Sequence, residues 1–310
     1  MPVSTPTPTD TTPNPAGIGV ASFAVVLLGL GAVIAKGADL PGPILAVHRL
    51  WVAALIYLAI LYARRGRFSL AALRGSMWGG LTFGLNIWMF FAAVQLTTVA
   101  NATMIIALQP ILVMLIGARF FGEPLRWADG LLMVVAVAGV GLVVLGSSET
   151  AAWNPRGDLL AGGALLMWAL YFAASKQARV TLPALDYQAH LVIAAVVVVL
   201  PGALIADEAL VPSLDRWWWI LAMVLVPGTG HLLVNWAHAH VPLGLVSLLT
   251  LVSPVVGAGV AAIVFEEEKI LPLQVAGMVV VLGALAVIVR RGHEDERRRR
   301  PPADEVADAA

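Results

Sequence analysis

The chain has 310 residues, of which 60 % are hydrophobic and 12 % are charged, and its mean hydropathy is +0.88. Soluble domains contain ~45–50 % apolar residues, so this composition excludes an ordinary soluble protein and predicts an integral membrane protein. The formal net charge is zero, which gives no basis for nucleic-acid binding, and the absence of cysteine excludes disulfides, thiolate metal sites and a cysteine nucleophile.

Both ends of the chain differ from the rest in composition. Residues 1–16 are rich in proline, threonine and asparagine, and residues 291–310 are rich in charged residues. Such compositions favour disordered, solvated tails. The first segment has no basic residue ahead of the first apolar run and no small-residue cleavage site, so we do not predict a signal peptide.

Between the tails, ten apolar runs follow one another. Their approximate bounds are 17–36, 43–63, 75–95, 98–120, 127–146, 157–177, 186–207, 216–239, 242–265 and 272–290. Each run is close to the ~20 residues that a helix needs to cross a bilayer. The runs are continuously apolar, whereas barrel strands would alternate. The fold class is therefore predicted to be an all-α integral membrane protein with ten transmembrane helices.

The fourth and ninth runs resemble each other. A shift of 144 positions superposes Pro110 on Pro254 and Glu123 on Glu267. Chance similarity between two apolar runs is one explanation. The other is an internal duplication in which each half has a proline-interrupted helix, a pattern found in secondary transporters. A mid-helix proline removes a backbone donor and breaks the helix.

The duplication divides the chain into a first five-helix repeat at 17–146, a connecting loop at 147–156 and a second five-helix repeat at 157–290. Cytoplasmic loops of membrane proteins are rich in Lys and Arg. With a cytoplasmic N-terminus, the inner segments carry fourteen of these residues and the outer segments four, with Arg49 inside a span. Both termini are therefore predicted to be cytoplasmic, in the cell inner (plasma) membrane. Five spans per half is an odd number, so the two repeats are predicted to be inverted.

Polar and aromatic residues inside the spans are the candidates for a substrate pathway, because polar groups there are costly and usually face a cavity or another helix. The candidates are His48, Arg49, Asn86, Trp88, Gln109, Trp168, Tyr171, His231, Asn235 and Thr250. Three spans carry such residues along one helical face. The faces are Trp168, Tyr171 and Ser175; His231, Asn235 and His238; and Ser247, Thr250 and Pro254.

Structural roles are open for several of these residues. Asn86 and Gln109 could bond neighbouring helices, Trp168 and Tyr171 could serve packing, and the Thr250 hydroxyl could bond its own helix. Arg49 could snorkel to the surface, pair with a helix C-terminus or bind an anion. No metal site is predicted, because no acidic or further histidine ligand is near the lone His238-x-His240 pair.

The order of these elements resembles the drug/metabolite transporters of the EamA type. The matching elements are Lys36 at the end of span one, the Pro43–Arg49 start of span two and the Glu123-Pro124-Leu125 turn after span four. The resemblance covers residues 17–290. Span one lacks the Trp-Gly pair often found there. The resemblance implies export or uptake of small metabolites through a central cavity lined by both halves, with alternating access.

The favoured function is thus a secondary transporter, with export favoured over uptake, of small organic metabolites such as amino acids or related compounds. An integral-membrane enzyme that uses His231 or His48 as a base on a small or lipid-linked substrate is an alternative, and a helical scaffold without transport is another. No P-loop, G-x-S-x-G or H-E-x-x-H motif occurs. The expected partners are a small-molecule substrate, the lipid bilayer and a possible homodimer partner, without cofactor or nucleic acid.

Energy coupling follows from which groups can titrate inside the spans. Proton-coupled transporters commonly use a buried carboxylate, and here no carboxylate falls at mid-span. Histidine titrates near physiological pH. We therefore predict either facilitated diffusion or a coupled proton carried by His231, with His48 the less favoured carrier.

Overall fold

A computed structural model describes residues 15–97, 99–123, 127–146, 154–205, 210–266 and 270–299. These residues are almost entirely helical, and none of them is in a strand. The α-helices of the described chain are α1 (Pro15–Ala38), α2 (Gly42–Ala63), α3 (Leu70–Leu96), α4 (Val99–Ile106), α5 (Gln109–Phe121), α6 (Trp127–Leu145), α7 (Pro155–Ala178), α8 (Ala184–Leu204), α9 (Trp217–Leu225), α10 (Pro227–Ala237), α11 (Leu243–Leu249), α12 (Ser253–Val264) and α13 (Pro272–Arg299). This confirms the predicted all-helical class.

Local sequence signals set several helix ends. The Ser69 hydroxyl accepts a hydrogen bond from the N–H of Ala72 at 3.3 Å, and the Asn154 side chain accepts from two N–H groups of the first turn of α7 at 3.1 Å. Both residues thereby satisfy helix donors that have no intrahelical partner. The helix α5 ends at Gly122, whose φ of +65° lies in the left-handed region that favours glycine.

Three of the predicted spans are interrupted helices. Span four is divided into α4 and α5 just before Pro110, and span nine into α11 and α12 by a 3-10 turn (Thr250–Val252) just before Pro254. These are the two prolines that the sequence analysis selects. Span eight is also divided, into α9 and α10, at Pro227. Proline lacks the N–H donor and clashes with the preceding turn, so each interruption has the same cause.

The interrupted helices of the two halves share one register. Val99 and Leu243, which begin α4 and α11, are 144 positions apart, and Gln109 and Ser253, which begin α5 and α12, are separated by the same number. The shift that superposes the two sequences thus also superposes the two pairs of half-helices, which favours duplication over chance similarity.

Helix packing shows an approximate two-fold relation between the halves. Two helices pack against their own equivalents, α2 against α8 and α6 against α13, and span four packs against its equivalent, span nine, through α5 and α11. Other contacts occur in exchanged pairs, because α3 packs against α7 as α10 packs against α1, and α5 packs against α7 as α12 packs against α1. Self-paired and exchanged contacts of this kind are what a two-fold axis generates.

Glycines allow the halves to approach closely. A Cβ atom at Gly277 of α13 would lie 2.5 Å from the carbonyl oxygen of Gly139 in α6, and one at Gly29 of α1 would lie 2.7 Å from the carbonyl oxygen of Ser253. Real Cβ atoms do not come so close to backbone. Small residues at these seams therefore let the helix backbones touch, as is common between membrane helices.

The outside of the bundle is apolar. Ile263 and Trp127 expose 85 % and 82 % of their surfaces, which suits contact with lipid. Six stretches of the described chain are long and apolar enough to cross a membrane: Pro15–Ala38, Gly42–Ala63, Pro155–Ala178, Ala184–Leu204, Leu214–Ala237 and Leu243–Val264. Shorter apolar helices add Gln109–Phe121, Gly130–Leu145 and Pro272–Ala284. The chain is therefore a multi-pass membrane protein.

The last helix is longer than predicted. It continues to Arg299, so residues 291–299, for which the sequence predicts a disordered tail, are helical in the structure. Glutamate and arginine are good helix formers, so the charged composition does not stop a helix that an apolar segment has already nucleated. The rest of that predicted tail, residues 1–14 of the first tail and residues 147–153 of the connecting loop lie outside the described residues.

Candidate functional site

A cavity of about 380 Å³ lies between the two halves of the bundle. Six of the residues selected from sequence line it: Arg49, Gln109, Trp168, His231, Thr250 and Pro254. Two of these come from the first half and four from the second, so the cavity belongs to both repeats. Its size is within the range of small-molecule sites.

The cavity lies toward one end of the bundle. Gly17, in the first turn of α1, packs against Val241, which precedes α11, so the two ends of α1 lie at opposite ends of the molecule. One end of the molecule, where α5 and α7 terminate and α11 begins, is called the Glu123 end. The opposite end, where α1 and α12 terminate, is called the Lys36 end. The lining residues of α1, α2 and α3 all come from the parts of those helices nearer the Lys36 end, which are Leu28, Gly31, Ala32, Ala35, Leu45, Arg49, Phe90 and Phe91.

Arg49 places a cation in the cavity. Its guanidinium carbon lies 5.9 Å from the centre of the Phe83 ring, an arrangement typical of a cation–π contact. Among the described residues, none makes a hydrogen bond or an ion pair with this guanidinium. The five N–H donors of the side chain are thus available to a bound molecule.

Gln109 and Thr250 join the two interrupted helices across the cavity. The Thr250 hydroxyl lies 2.6 Å from the Ser247 carbonyl oxygen and 3.3 Å from Oε1 of Gln109. Gln109 is 3 % exposed, and among the described residues nothing accepts a hydrogen bond from its Nε2. A buried amide with an unused donor is costly unless a ligand or water meets it.

An aromatic wall surrounds His231. The centre of its ring lies 4.9 Å from that of Phe83, 5.8 Å from Trp168 and 6.4 Å from Tyr171, each at a steep angle. In the described chain no side chain forms a hydrogen bond with His231. The histidine therefore presents an imidazole to the cavity from a surround of aromatic rings.

Beneath this wall, a polar network closes the middle of the bundle. The Asn235 Oδ1 atom accepts hydrogen bonds from the hydroxyls of Tyr171 at 2.8 Å and Ser175 at 2.7 Å, and its Nδ2 donates to Gln188 at 2.6 Å. The His238 Nδ1 atom lies 2.8 Å from the Ser175 oxygen, and it carries the donated proton because Ser175 uses its own toward Asn235. The polar faces of spans six and eight thus meet each other.

Glu123 ties three helices together at its end of the molecule. Its carboxylate forms an ion pair with Lys176 of α7, and it accepts hydrogen bonds from the N–H groups of Leu243 at 2.7 Å and Gly244 at 3.2 Å. Because Pro242 offers no side-chain cap to α11, Glu123 supplies the cap from the segment that follows α5. The Lys176 ammonium also lies 5.5 Å from the centre of the Phe121 ring.

A related pair lies at the Lys36 end. The Lys36 ammonium is 4.7 Å from the centre of the Phe265 ring. Phe121 and Phe265 are 144 positions apart, and Lys36 and Lys176 each lie two residues before the end of their helices, α1 and α7. The equivalent of Glu123 by register, Glu267, is outside the described residues.

Six of the candidates do not line the cavity. Two of them, Tyr171 and Asn235, belong to the polar network, and the other four have separate positions. The His48 Nδ1 atom bonds the Ile44 carbonyl at 2.9 Å, and its ring packs against tryptophans rather than the cavity. The Asn86 amide donates to the Ala164 carbonyl at 2.9 Å, which joins α3 to α7. Trp88 is 39 % exposed and lies on the surface, and Pro110 is buried in the first turn of α5.

Sequence reasoning missed other parts of the site. Pro227 carried the same signal as the two selected prolines, a proline within an apolar run, and it lines the cavity. Phe90 and Phe91 also line it, but aromatic residues in an apolar run give no distinguishing signal. The structural role of Glu123 was not predicted, although its spacing from Pro110 marked it. The described chain contains no group of three or more His, Cys, Asp or Glu residues that could hold a metal ion.

Two like halves around a shared cavity, with helices interrupted where they reach it, are the arrangement of a secondary transporter. The chain belongs to the EamA-like transporter family, whose model matches residues 15–145 and 155–290. The resemblance predicted from the sequence is thereby confirmed, and the family makes the protein a membrane transporter of small molecules. The two matched segments also coincide with the two halves of the fold.

Solved structures agree on the fold. One crystal structure covers 89 % of this chain and 98 % of its own at 18 % identity, with a TM-score of 0.78. At this identity the likeness establishes the fold alone. No curated protein matches the chain.

Proposed function

We propose that the protein is a secondary transporter that exports small organic metabolites, such as amino acids or related compounds, across the cytoplasmic membrane by alternating access. The observation that carries this proposal is the cavity between the repeats, which is lined by Arg49 and Gln109 of one half and by Trp168, His231 and Thr250 of the other. A site shared by two related halves is accessible from either side when the halves rock against each other.

The proposed topology has ten spans in two inverted repeats. The interrupted pairs α4–α5, α9–α10 and α11–α12 then each count as one span, which gives five in each half. The Glu123 end faces the cytoplasm in this arrangement. In support, the basic residues Arg64, Arg74, Arg119 and Arg179 all flank helix ends on that side, as cytoplasmic segments do.

In the proposed cycle, this conformation is closed toward the cytoplasm. Glu123, Lys176 and the Asn235 network lie between the cavity and the Glu123 end, whereas the cavity extends toward the Lys36 end. The substrate would leave by the Lys36 end, after which the halves would exchange the open and closed ends. The near-equivalence of the Lys176–Phe121 and Lys36–Phe265 pairs supports such an exchange.

The site favours a transporter over an enzyme. A catalytic base is normally oriented by a carboxylate or carbonyl bonded to its second nitrogen, and no described residue bonds His231 in this way. The ring contacts instead suit recognition of a bound molecule.

Counterflow in proteoliposomes tests the proposal. Vesicles that contain the purified protein are loaded with unlabelled metabolites from a panel of amino acids and organic acids, and uptake of the labelled compound is followed. A transporter exchanges the label without changing it, whereas an enzyme returns a changed compound. Absence of exchange for the whole panel, in vesicles that contain folded protein, would overturn the proposal.

Energy coupling needs a separate measurement. We propose facilitated diffusion or a proton carried by His231, because His48 is engaged with its own helix and lies off the cavity. An imposed pH gradient should drive net accumulation only in the second case, and His231→Gln should then abolish accumulation while counterflow continues. Accumulation that survives His231→Gln would exclude a proton carried by His231.

A further inference from the structure

We propose, on the basis of the transport function proposed above, that the cavity selects small organic anions: a carboxylate held by Arg49 and Gln109, attached to an apolar or aromatic body. Four features of the cavity carry this inference: its positive charge, its unused hydrogen-bond donors, the absence of acidic residues from its described lining, and its apolar walls.

The charge of the described lining is that of one cation. Arg49 is the charged residue among the lining residues, and none of those residues is acidic. A cation inside a membrane protein is costly to keep and is usually paired. Because no described residue pairs with the Arg49 guanidinium, a bound anion is the partner that would complete it. A guanidinium presents parallel N–H donors that match the two oxygens of a carboxylate.

Gln109 supplies a second donor of the same kind. Its Oε1 is directed at the Thr250 hydroxyl, so the orientation of the amide leaves Nε2 as the unused group in the cavity lining. A carboxylate that bonds Arg49 has further lone pairs with which to accept from this amide. A cationic substrate would instead face two donors and no acceptor carboxylate, which is unfavourable in a site that excludes water.

The remaining walls suit an apolar body. Phe90, Phe91 and Trp168 line the cavity, together with the small residues Gly31 and Ala32. The volume of about 380 Å³ accommodates a ring and a short acid chain. The inferred substrate class is thus an aromatic or branched aliphatic acid rather than a sugar or a polyamine.

A charge series with one ring tests the inference. Binding of 3-phenylpropionate, 3-phenylpropanol and 3-phenylpropylamine to the purified protein is measured by titration calorimetry in detergent. We expect the acid to bind most tightly, by ~10–100-fold over the alcohol, as charge-assisted hydrogen bonds give, and the amine to bind least. Equal binding of acid and alcohol, tighter binding of the amine, or binding of none of the three would overturn the inference.

Two variants locate the effect. Arg49→Gln should weaken binding of the acid by a similar ~10–100-fold and leave the alcohol unchanged, and Gln109→Leu should weaken the acid by less. Arg74→Gln, which removes the same charge from an exposed position on α3, is the matched control and should change neither. Acid binding that Arg49→Gln leaves intact would overturn the assignment, and if that variant does not fold, the charge series on the unmodified protein still decides.

Counterflow separates this inference from the transport function. Exchange of alcohols or amines in place of acids would refute the anion site while the transporter stands. Tight binding of the acid without exchange of any compound would refute transport while the anion site stands.

Discussion

The two ends of the molecule repeat one lysine–phenylalanine pair, but the cavity extends toward only one of these pairs. At the Glu123 end, a lysine at the end of α7 contacts both Phe121 and a buried carboxylate that also caps α11. At the Lys36 end, the equivalent lysine of α1 contacts Phe265, and the cavity extends toward this side. The comparison teaches that one sequence pattern can be placed twice in a chain while the cavity lies nearer to one copy than to the other.

The largest effect should come from a test of which end faces the cytoplasm. The native chain has no cysteine, so single cysteines at Thr181 and Ser213, both exposed and at opposite ends, report on the two sides. A membrane-impermeant thiol reagent added to intact cells should label Ser213→Cys fully and Thr181→Cys not at all. Inside-out vesicles should reverse the pattern. Labelling of both positions from one side would contradict the opposed ends on which the comparison depends.

Glu123→Gln should open the Glu123 end. The ion pair with Lys176 is mostly buried, and breaking such a pair leaves an unpaired buried charge. A cysteine at Leu243, which is buried in the structure, should then be labelled ~10-fold or more faster from the side of the membrane that the Glu123 end faces. Glu266→Gln, the same change at an exposed position of the Lys36 end, is the control. An unchanged rate in Glu123→Gln would show that this carboxylate does not close the end.

Gly29→Val tests the seam between α1 and α12. Its first side-chain atom would meet the Ser253 carbonyl and Val256, so the two helices must move apart, at a cost of ~1–3 kcal/mol. Gly19→Val in the same helix meets no atom within 4 Å and should be tolerated. Thermal unfolding in detergent should therefore show a lower midpoint for Gly29→Val alone. Equal midpoints would indicate that the seam adapts without strain.

The smallest effect on the Leu243→Cys labelling rate is expected when the two lysines are replaced one at a time. Lys176→Met leaves Glu123 buried without its cation, whereas Lys36→Met removes a cation at the opposite end of the molecule, where it contacts Phe265. The Leu243→Cys labelling rate should increase strongly in Lys176→Met and change little in Lys36→Met, because Leu243 bonds the carboxylate that Lys176 pairs with, whereas Lys36 lies at the opposite end. A larger response to Lys36→Met would reverse the assignment of the closed end.

Much of the fold was predictable because its causes are local. Continuous apolar runs predict spanning helices, and the breaks at Pro110 and Pro254 follow from the missing donor of proline. The break at Pro227 in span eight has the same cause, although the sequence analysis does not single out this proline. The extension of α13 to Arg299 was missed because composition indicates solvation, whereas helix continuation depends on what precedes the segment.

The site was less predictable because it depends on which faces meet. His48 and Arg49 are adjacent in sequence, and successive residues of a helix point about 100° apart. Of these two residues only Arg49 lines the cavity, which agrees with their different directions on the helix. The bonds from Glu123 to Leu243 and from Tyr171 to Asn235 span 120 and 64 positions, and no local pattern specifies such pairings.

The shared register of the half-helices has a consequence for the energetics of the proposed cycle. If closing either end uses equivalent contacts between equivalent helices, the two end states differ little in free energy, and the equilibrium constant between them is near one. A bound molecule then needs only a small difference in affinity to change the populations. Such a carrier has no built-in direction: concentration gradients, rather than the protein, decide whether it works as an exporter.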